Sequence, residues 1–147
     1  MNIFGRGEVH PDGRGAGVWV RRSKNVRIDG IVVSQLPIGQ CDSVELTNVK
    51  SISYYGWGDG MDVFSSSNVI LDGVFCRNSD DCAAVYASTQ GFKGGSNNVL
   101  VKNATLWADV AHPINIGGHG DPNGMDTVQN VTFRNIDILD QAEKQID

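Results

Sequence analysis

A seven-residue pattern that recurs five times sets the strongest limit on what this chain can fold into. Asn25-Val26-Arg27-Ile28-Asp29-Gly30-Ile31 returns as Ser43-Val44-Glu45-Leu46-Thr47-Asn48-Val49 and as Asn68-Val69-Ile70-Leu71-Asp72-Gly73-Val74. It returns again as Asn98-Val99-Leu100-Val101-Lys102-Asn103-Ala104 and as Asn130-Val131-Thr132-Phe133-Arg134-Asn135-Ile136. The starts lie 18, 25, 30 and 32 residues apart, and Gly-rich stretches such as Gly91 to Ser96 and Gly117 to Gly124 absorb the growth. Insertions are therefore expected in loops on one side. In each copy an apolar residue follows Asn or Ser, another comes two positions later, and turn residues precede a third. That is strand, corner, strand. So small a unit cannot bury its apolar face alone, so the copies must stack, each strand pairing in parallel with its equivalent in the next coil about 4.8 Å away.

The expected fold class is all-β: a right-handed single-stranded parallel β-helix, a partial one without terminal caps. Its core should stack Val26, Val44, Val69, Val99 and Val131, with Ile28, Leu46, Leu71, Val101 and Phe133 beside them. Asn25, Asn68, Asn98 and Asn130 are expected at corners, where an Asn side chain tolerates left-handed backbone or bonds to neighbouring backbone groups. The runs are too short and too β-branched for helices, and the strands of a β-sandwich, the rival fold, seldom repeat one motif in phase. The polar tail Asp140 to Asp147 should fray, and residues 1–147 are expected to form one domain belonging to a longer catalytic domain.

Composition agrees and removes several function classes. Eighteen glycines and only 7% aromatic residues suit short strands and frequent turns. A net charge of -5 leaves no electrostatic footprint for nucleic acid. No apolar run approaches a membrane span, and the first residues do not read as a signal peptide. Cys41, Cys76 and Cys82 are odd in number and lack CxxC spacing, so neither zinc nor a disulfide framework is indicated; reduced or at most singly bridged thiols are expected. Gly5-Arg6-Gly7 and Gly13 to Gly17 look like phosphate loops, yet no strand enters and no helix leaves them, so they read as turns. Arg14, Arg21, Arg22, Lys24 and Arg27 form a basic cluster, read as a solvated face or, more sharply, as a subsite for an acidic sugar chain.

The chemistry concentrates between Gly58 and Tyr86. Asp59 and Asp80 are 21 residues apart, about one coil, so they should occupy neighbouring rungs, and Asp81 can face the same side only where the strand turns or bulges. Carboxylates this close cannot all ionise easily. One keeps its proton and can act as general acid while another stays charged and acts as base, the division that glycoside hydrolysis requires. Asp62 and Asp72, taken singly, read as corner residues. Trp57, Tyr54, Tyr55 and Tyr86 surround the aspartates and are candidates for stacking on sugar rings. His119 lies in a Gly-rich loop with no second ligand at metal spacing, so a place beside the Asp pair is expected rather than a metal. His112, before Pro113, should pack or point to solvent. The Asn103 and Asn130 sequons fall inside the repeat, where a glycan would be awkward.

Asp59-Gly60, then Asp80-Asp81-Cys82, then Gly118-His119-Gly120, in that order on a β-helical repeat, resembles the polygalacturonase-type glycoside hydrolases, family 28. The resemblance runs from about Ser23 to Ile138. It implies inverting hydrolysis of an O-glycosidic bond in a pectin-like polysaccharide, with no metal or other cofactor, by a secreted or periplasmic protein. Carried over, Asp80 matches the general acid, Asp59 and Asp81 the pair that activates water, and His119 a histidine that assists the acid and contacts substrate; Trp57 and Tyr86 are assigned to substrate binding. Departures are visible too. Trp57-Gly58 stands where the family has Asn-Thr, and Ser79 where it has Gly. The usual disulfide partner of Cys82 would fall near Asn115, and the Arg-x-Lys motif that grips a uronate carboxylate is missing. Asp80 to Tyr86 also resembles the dextranase and isopullulanase family, 49, whose neutral glucans need no such clamp. A β-helical polysaccharide lyase and a non-catalytic, carbohydrate-binding or truncated β-helix are the alternatives. Partners beyond the polysaccharide are not expected, neither nucleic acid nor membrane, and the oligomeric state is left open.

Overall fold

The computed structural model describes residues 1–4, 8–9 and 17–139, with side chains from 1–3 and 17–139. The glycine turns between residues 5 and 16, Arg14 and the tail from Asp140 lie outside the described residues. Three strands make each coil. The first face of the coil is built by β1 (Asn2–Phe4), β4 (Lys24–Asp29), β7 (Asp42–Thr47) and β10 (Ser67–Asp72). The second is built by β2 (Glu8–Val9), β5 (Val32–Val33), β8 (Lys50–Ser53) and β11 (Phe75–Asn78). Two long strands, β13 (Ser96–Ala108) and β15 (Val128–Ile138), run through both faces. A separate third sheet holds β3 (Val20–Arg21), β6 (Ile38–Gly39), β9 (Val63–Phe64), β12 (Ala83–Tyr86) and β14 (Ile114–Ile116), in the spatial order β14-β12-β9-β6-β3. Every pairing among the described strands is parallel, as a solenoid demands.

The five-copy pattern is the register. Val26 lies opposite Val44, Val44 opposite Val69, Val69 opposite Val99 and Val99 opposite Val131. The column Ile28, Leu46, Leu71, Val101 and Phe133 runs beside it in the same way. All but Val131 and Phe133, on β15, are buried. A slip by one residue would turn each pair outward, so burial of one column of side chains enforces the pairing of all the strands.

Corners follow from backbone geometry. The first residue of every copy has a left-handed φ: Asn25 (55°), Ser43 (61°), Asn68 (56°), Asn98 (57°) and Asn130 (52°). So does the residue five later, Gly30 (75°), Asn48 (52°), Gly73 (64°), Asn103 (52°) and Asn135 (55°). Residues with a Cβ resist this conformation, Asn least among them, and Gly has no such penalty. The asparagines also bond from coil to coil. Asn68 Nδ2 donates to Asp42 (2.8 Å), Asn98 Nδ2 to Asn68 (2.7 Å), Asn103 Nδ2 to Asp72 (2.8 Å) and Asn135 Nδ2 to Asn103 (2.8 Å). Asp72, expected at a corner, is there, paired with Lys102 at 2.9 Å.

The insertions do not share one side. Loops 87–95 and 117–127 both lead from the third sheet into the next coil, but the first growth, loop 54–62, lies at the junction from β8 into β9. Outside the third sheet lies a second apolar cluster of Phe64, Ala84, Tyr86 and Phe92, with Trp19 against it. Phe64 stacks on Tyr86 at 5.8 Å and on Phe92 at 6.2 Å between centroids. Gly39 makes room for it, since a Cβ there would meet Phe92 Cε2 at 2.2 Å.

Replacement of Leu71, 1% exposed and between Leu46 and Val101, tests the column. Leu71→Ala should destabilise by about 2–5 kcal/mol, read as a lower urea midpoint at unchanged slope. A loss below about 0.5 kcal/mol, the range of surface substitutions, would contradict continuous packing through this rung.

Candidate active site

The junction from the second face into the third sheet brings the aspartates together. Asp59 comes from the loop between β8 and β9, and Asp80 and Asp81 from the shorter turn between β11 and β12, one coil on. Backbone bonds stitch the two loops: Asp80 N–H donates to Gly58 O (3.3 Å), Gly60 N–H to Asp81 O (2.7 Å) and Met61 N–H to Cys82 O (2.9 Å). Gly60 permits this approach, because a Cβ on it would stand 2.2 Å from Cys82 O. Below them Asn78, fully buried, donates from Nδ2 to Asp59 O (2.6 Å) and to Ser34 O (3.2 Å), fixing the backbone that carries Asp59. Ser79 Oγ donates to Tyr55 O.

A disulfide joins Cys76 and Cys82 across the turn that carries Asp80 and Asp81. Cys82 therefore takes its partner from the preceding strand rather than from the neighbourhood of Asn115, and the bridge is the single one that the cysteine count allowed. Cys41 remains free and buried. Among the described residues no group of three or more His, Cys, Asp or Glu could hold a metal ion. No helix among them is long and apolar enough to cross a membrane.

Asp81 is the most tightly held of the three. Its Oδ2 accepts from Tyr86 Oη (2.6 Å) and Asn115 Nδ2 (2.7 Å), and its Oδ1 accepts from His112 N–H (3.0 Å) and faces His112 Nδ1 at 3.0 Å. These contacts fill the roughly four acceptor positions of a carboxylate. Burial alone would push its pKa up, but the combined donation from Tyr86, Asn115 and His112 outweighs it and holds the group below the usual range. Asp59 has no such set of donors. Burial first, then the charges of Asp80 and Asp81, raise it from 3.8 to about 7. Asp80 is also raised, chiefly by burial and in part by the Asp81 charge, while the Asp81 N–H (2.9 Å) and His112 oppose the rise. Nearby carboxyls are thus pushed to opposite sides of their ordinary value.

The other expected residues fall out unevenly. Trp57 is 89% and Tyr54 94% exposed, both on the loop of Asp59, with faces open to solvent. Tyr86, expected to meet substrate, is 5% exposed: its ring is stacked in the outer aromatic cluster and its hydroxyl is given to Asp81, so it braces the site. His119 is exposed and sets its ring edge-on against Tyr86, centroids 4.9 Å apart, which places it one side chain from Asp81. Members of the basic cluster take separate partners. Arg21 lies over Trp19 (4.2 Å), Lys24 reaches Asp42 (3.9 Å) and Arg27 reaches Glu45 (3.4 Å). A hollow of about 410 Å³ lined by Arg22, Lys24, Gln40 and Asp42 opens at the junction from the third sheet into the next coil, not at that of the aspartates.

His112, Asn115 and Asp62 were not foreseen. His112 and Asn115 lie 31 and 34 residues after Asp81, close to the longer intervals of the later copies, so a one-coil offset scaled to those intervals would have found them. Asp62, far from an ordinary corner residue, is 2% exposed and its pKa is raised well above 3.8, by burial first and then by the charges of Asp59 and Asp81.

A carboxyl raised in the folded state supports stability below its unfolded pKa and loses that support as pH rises through its folded one. For Asp59 the window runs from about pH 4 to about 7. Asp59→Asn should therefore gain stability relative to the natural chain between those values, seen as a melting-temperature difference that grows with pH. A difference constant with pH would contradict the shifted group.

The family model described as glycosyl hydrolases family 28 matches residues 18–143. An exopolygalacturonase of Cochliobolus carbonum is 34% identical over 86 residues, 58% of this chain and 17% of that protein. Exopolygalacturonase X of Aspergillus niger is 30% identical over 126 residues, 85% of this chain and 24% of that protein. A probable endo-xylogalacturonan hydrolase A of Aspergillus fumigatus is 34% identical over 85 residues, 58% of this chain and 18% of that protein. The chain thus spans 17 to 24% of the length of these curated relatives. No solved structure matches.

Proposed function

The chain belongs to glycosyl hydrolases family 28, and we propose that it carries the catalytic carboxyls of an enzyme that hydrolyses a pectic polysaccharide with inversion. The observation that supports this most is the charge division across the junction: Asp59 pushed up to about 7 next to Asp81 held down. Asp80, raised and half-buried, is the general acid that gives its proton to the departing glycosidic oxygen. Asp59 is the base. Its high pKa lets it take a proton from water, and the fixed charge of Asp81 sustains that basicity while the acceptor positions of Asp81 are filled by Tyr86, Asn115 and His112. Inversion follows if the water between base and sugar attacks the face opposite the leaving group.

Trp57 and Tyr54, exposed beside Asp59, are platforms for sugar rings, and His119 contacts substrate from the neighbouring rung. Relatives named as exopolygalacturonases and as an endo-xylogalacturonan hydrolase favour a galacturonan backbone as substrate. A polymer of that kind is met outside the cytoplasm, so a secreted protein is expected.

Asp80→Asn should remove release of reducing ends from polygalacturonate, by about 10²-fold or more, with the fold intact by circular dichroism. Retained turnover would overturn the assignment. In the natural chain kcat/KM should trace a bell, with one limb at about pH 7 from Asp59. That limb should vanish in Asp59→Asn along with activity. A rate flat through this range would contradict Asp59 as base.

A further inference from the structure

The reaction outlined above gives Asp62 no task, yet its surroundings are unusual. It is 2% exposed, and its Oδ1 is buried without an N–H or hydroxyl donor. The Ala84 N–H and the side chain of Asp59 lie close to its carboxyl. Two carboxylates are acceptors only, so this contact is attractive solely when one of the pair carries a proton. Asp62 is the deeper of the two, whereas Asp59 is partly open to solvent. The charged and titratable groups around Asp62 are Asp59 and Asp81, with the Tyr86 hydroxyl nearby; Asp80 and His112 stand behind Asp59 and Asp81. Burial first, and then the charges of Asp59 and Asp81, favour the protonated form of Asp62.

We propose that Asp62 is a positioning residue, a buried carboxylic acid that donates its proton in a hydrogen bond to one oxygen of Asp59 and so turns the other oxygen toward the attacking water. The donated bond also lowers the pKa of Asp59, against burial and like charge, to the value where it serves as base near neutrality. Without a donor beneath it, Asp59 would have only the Asp81 N–H to set against like charges and would hold its own proton more tightly. This role rests on Asp59 being the base, but the shared proton itself does not.

Carbon-detected NMR titration of the side-chain carboxyls reads the proton directly and needs no substrate. In the natural chain Asp62 should keep the signal of a protonated carboxyl at about pH 6, where an ordinary Asp is ionised. Asp62→Asn retains a donor, so Asp59 should titrate in a single step and kcat/KM should stay within about tenfold. Asp62→Leu removes the donor, so the Asp59 titration and the matching limb of the rate profile should move upward together by about one pH unit, with kcat/KM down roughly 10²-fold. Should the Leu variant not fold, the infrared C=O stretch of a protonated acid, read at about pH 9 where Asp59 is ionised, present in the natural chain and lost in Asp62→Asn, carries the same decision. An ionised Asp62 at about pH 6 overturns the proposal, as do Asn and Leu variants with the same Asp59 titration as the natural chain. If Asp62 holds its proton but no glycosidic bond is cleaved, the functional reading fails and the pair stands. If cleavage proceeds with Asp62 ionised, the pair fails and the functional reading stands.

Discussion

Everything in this molecule depends on side chains of one coil sitting directly over those of the next. The Val26 and Ile28 columns are apolar, continuous and in register across the five copies, and this stacking allows strands of two to six residues to form at all. Isolated pairs of such strands are marginal in water. Stacked, each coil supplies the buried face that its neighbour lacks. The corners then become the places of freedom: left-handed Asn, Ser or Gly residues turn the chain at fixed positions, while the junctions with the third sheet accept insertions without disturbing the column.

The junction that carries the aspartates uses that freedom under tight constraint. Two loops from consecutive coils are tied by backbone bonds, by Asn78 from below and by the Cys76–Cys82 bridge, so the carboxyls approach each other closely enough to interact. Bringing like charges together in a half-buried place is unfavourable, and the chain resolves the conflict unequally. Asp81 receives four contacts from three residues, one of them a backbone N–H, and is held toward the ionised form, whereas Asp59 and Asp62 receive few and are pushed toward the neutral form. Difference in hydrogen bonding, rather than in burial alone, is what separates the lowered carboxyl from the raised ones here.

Much of this was legible in the sequence. The fold followed from period two and from the five Asn or Ser starts, because a repeat in sequence becomes a repeat in space with no further information needed. The neighbourhood of Asp59, Asp80 and Asp81 followed from a separation of one coil. What escaped depended on side-chain direction. Tyr86 alternates outward with Phe64, so it joined a second aromatic cluster that the core pattern did not announce. Asp62 looked like a turn residue, since nothing in a single Asp reveals that its oxygen will be buried beside another carboxyl. Cys76 and Cys82 had no recognisable spacing; only the turn between β11 and β12 brings them 5.7 Å apart at Cα.

Configuration at the newly formed reducing end of the product is the most direct measurement. Proton NMR during the first minutes of polygalacturonate cleavage should show the anomer opposite to that of the bond broken, later decaying to the equilibrium mixture, as attack by water held at Asp59 against a leaving group protonated by Asp80 requires. Product that first appears with the original configuration, or with an unsaturated end in place of an added water, would contradict an inverting hydrolase built on these carboxyls.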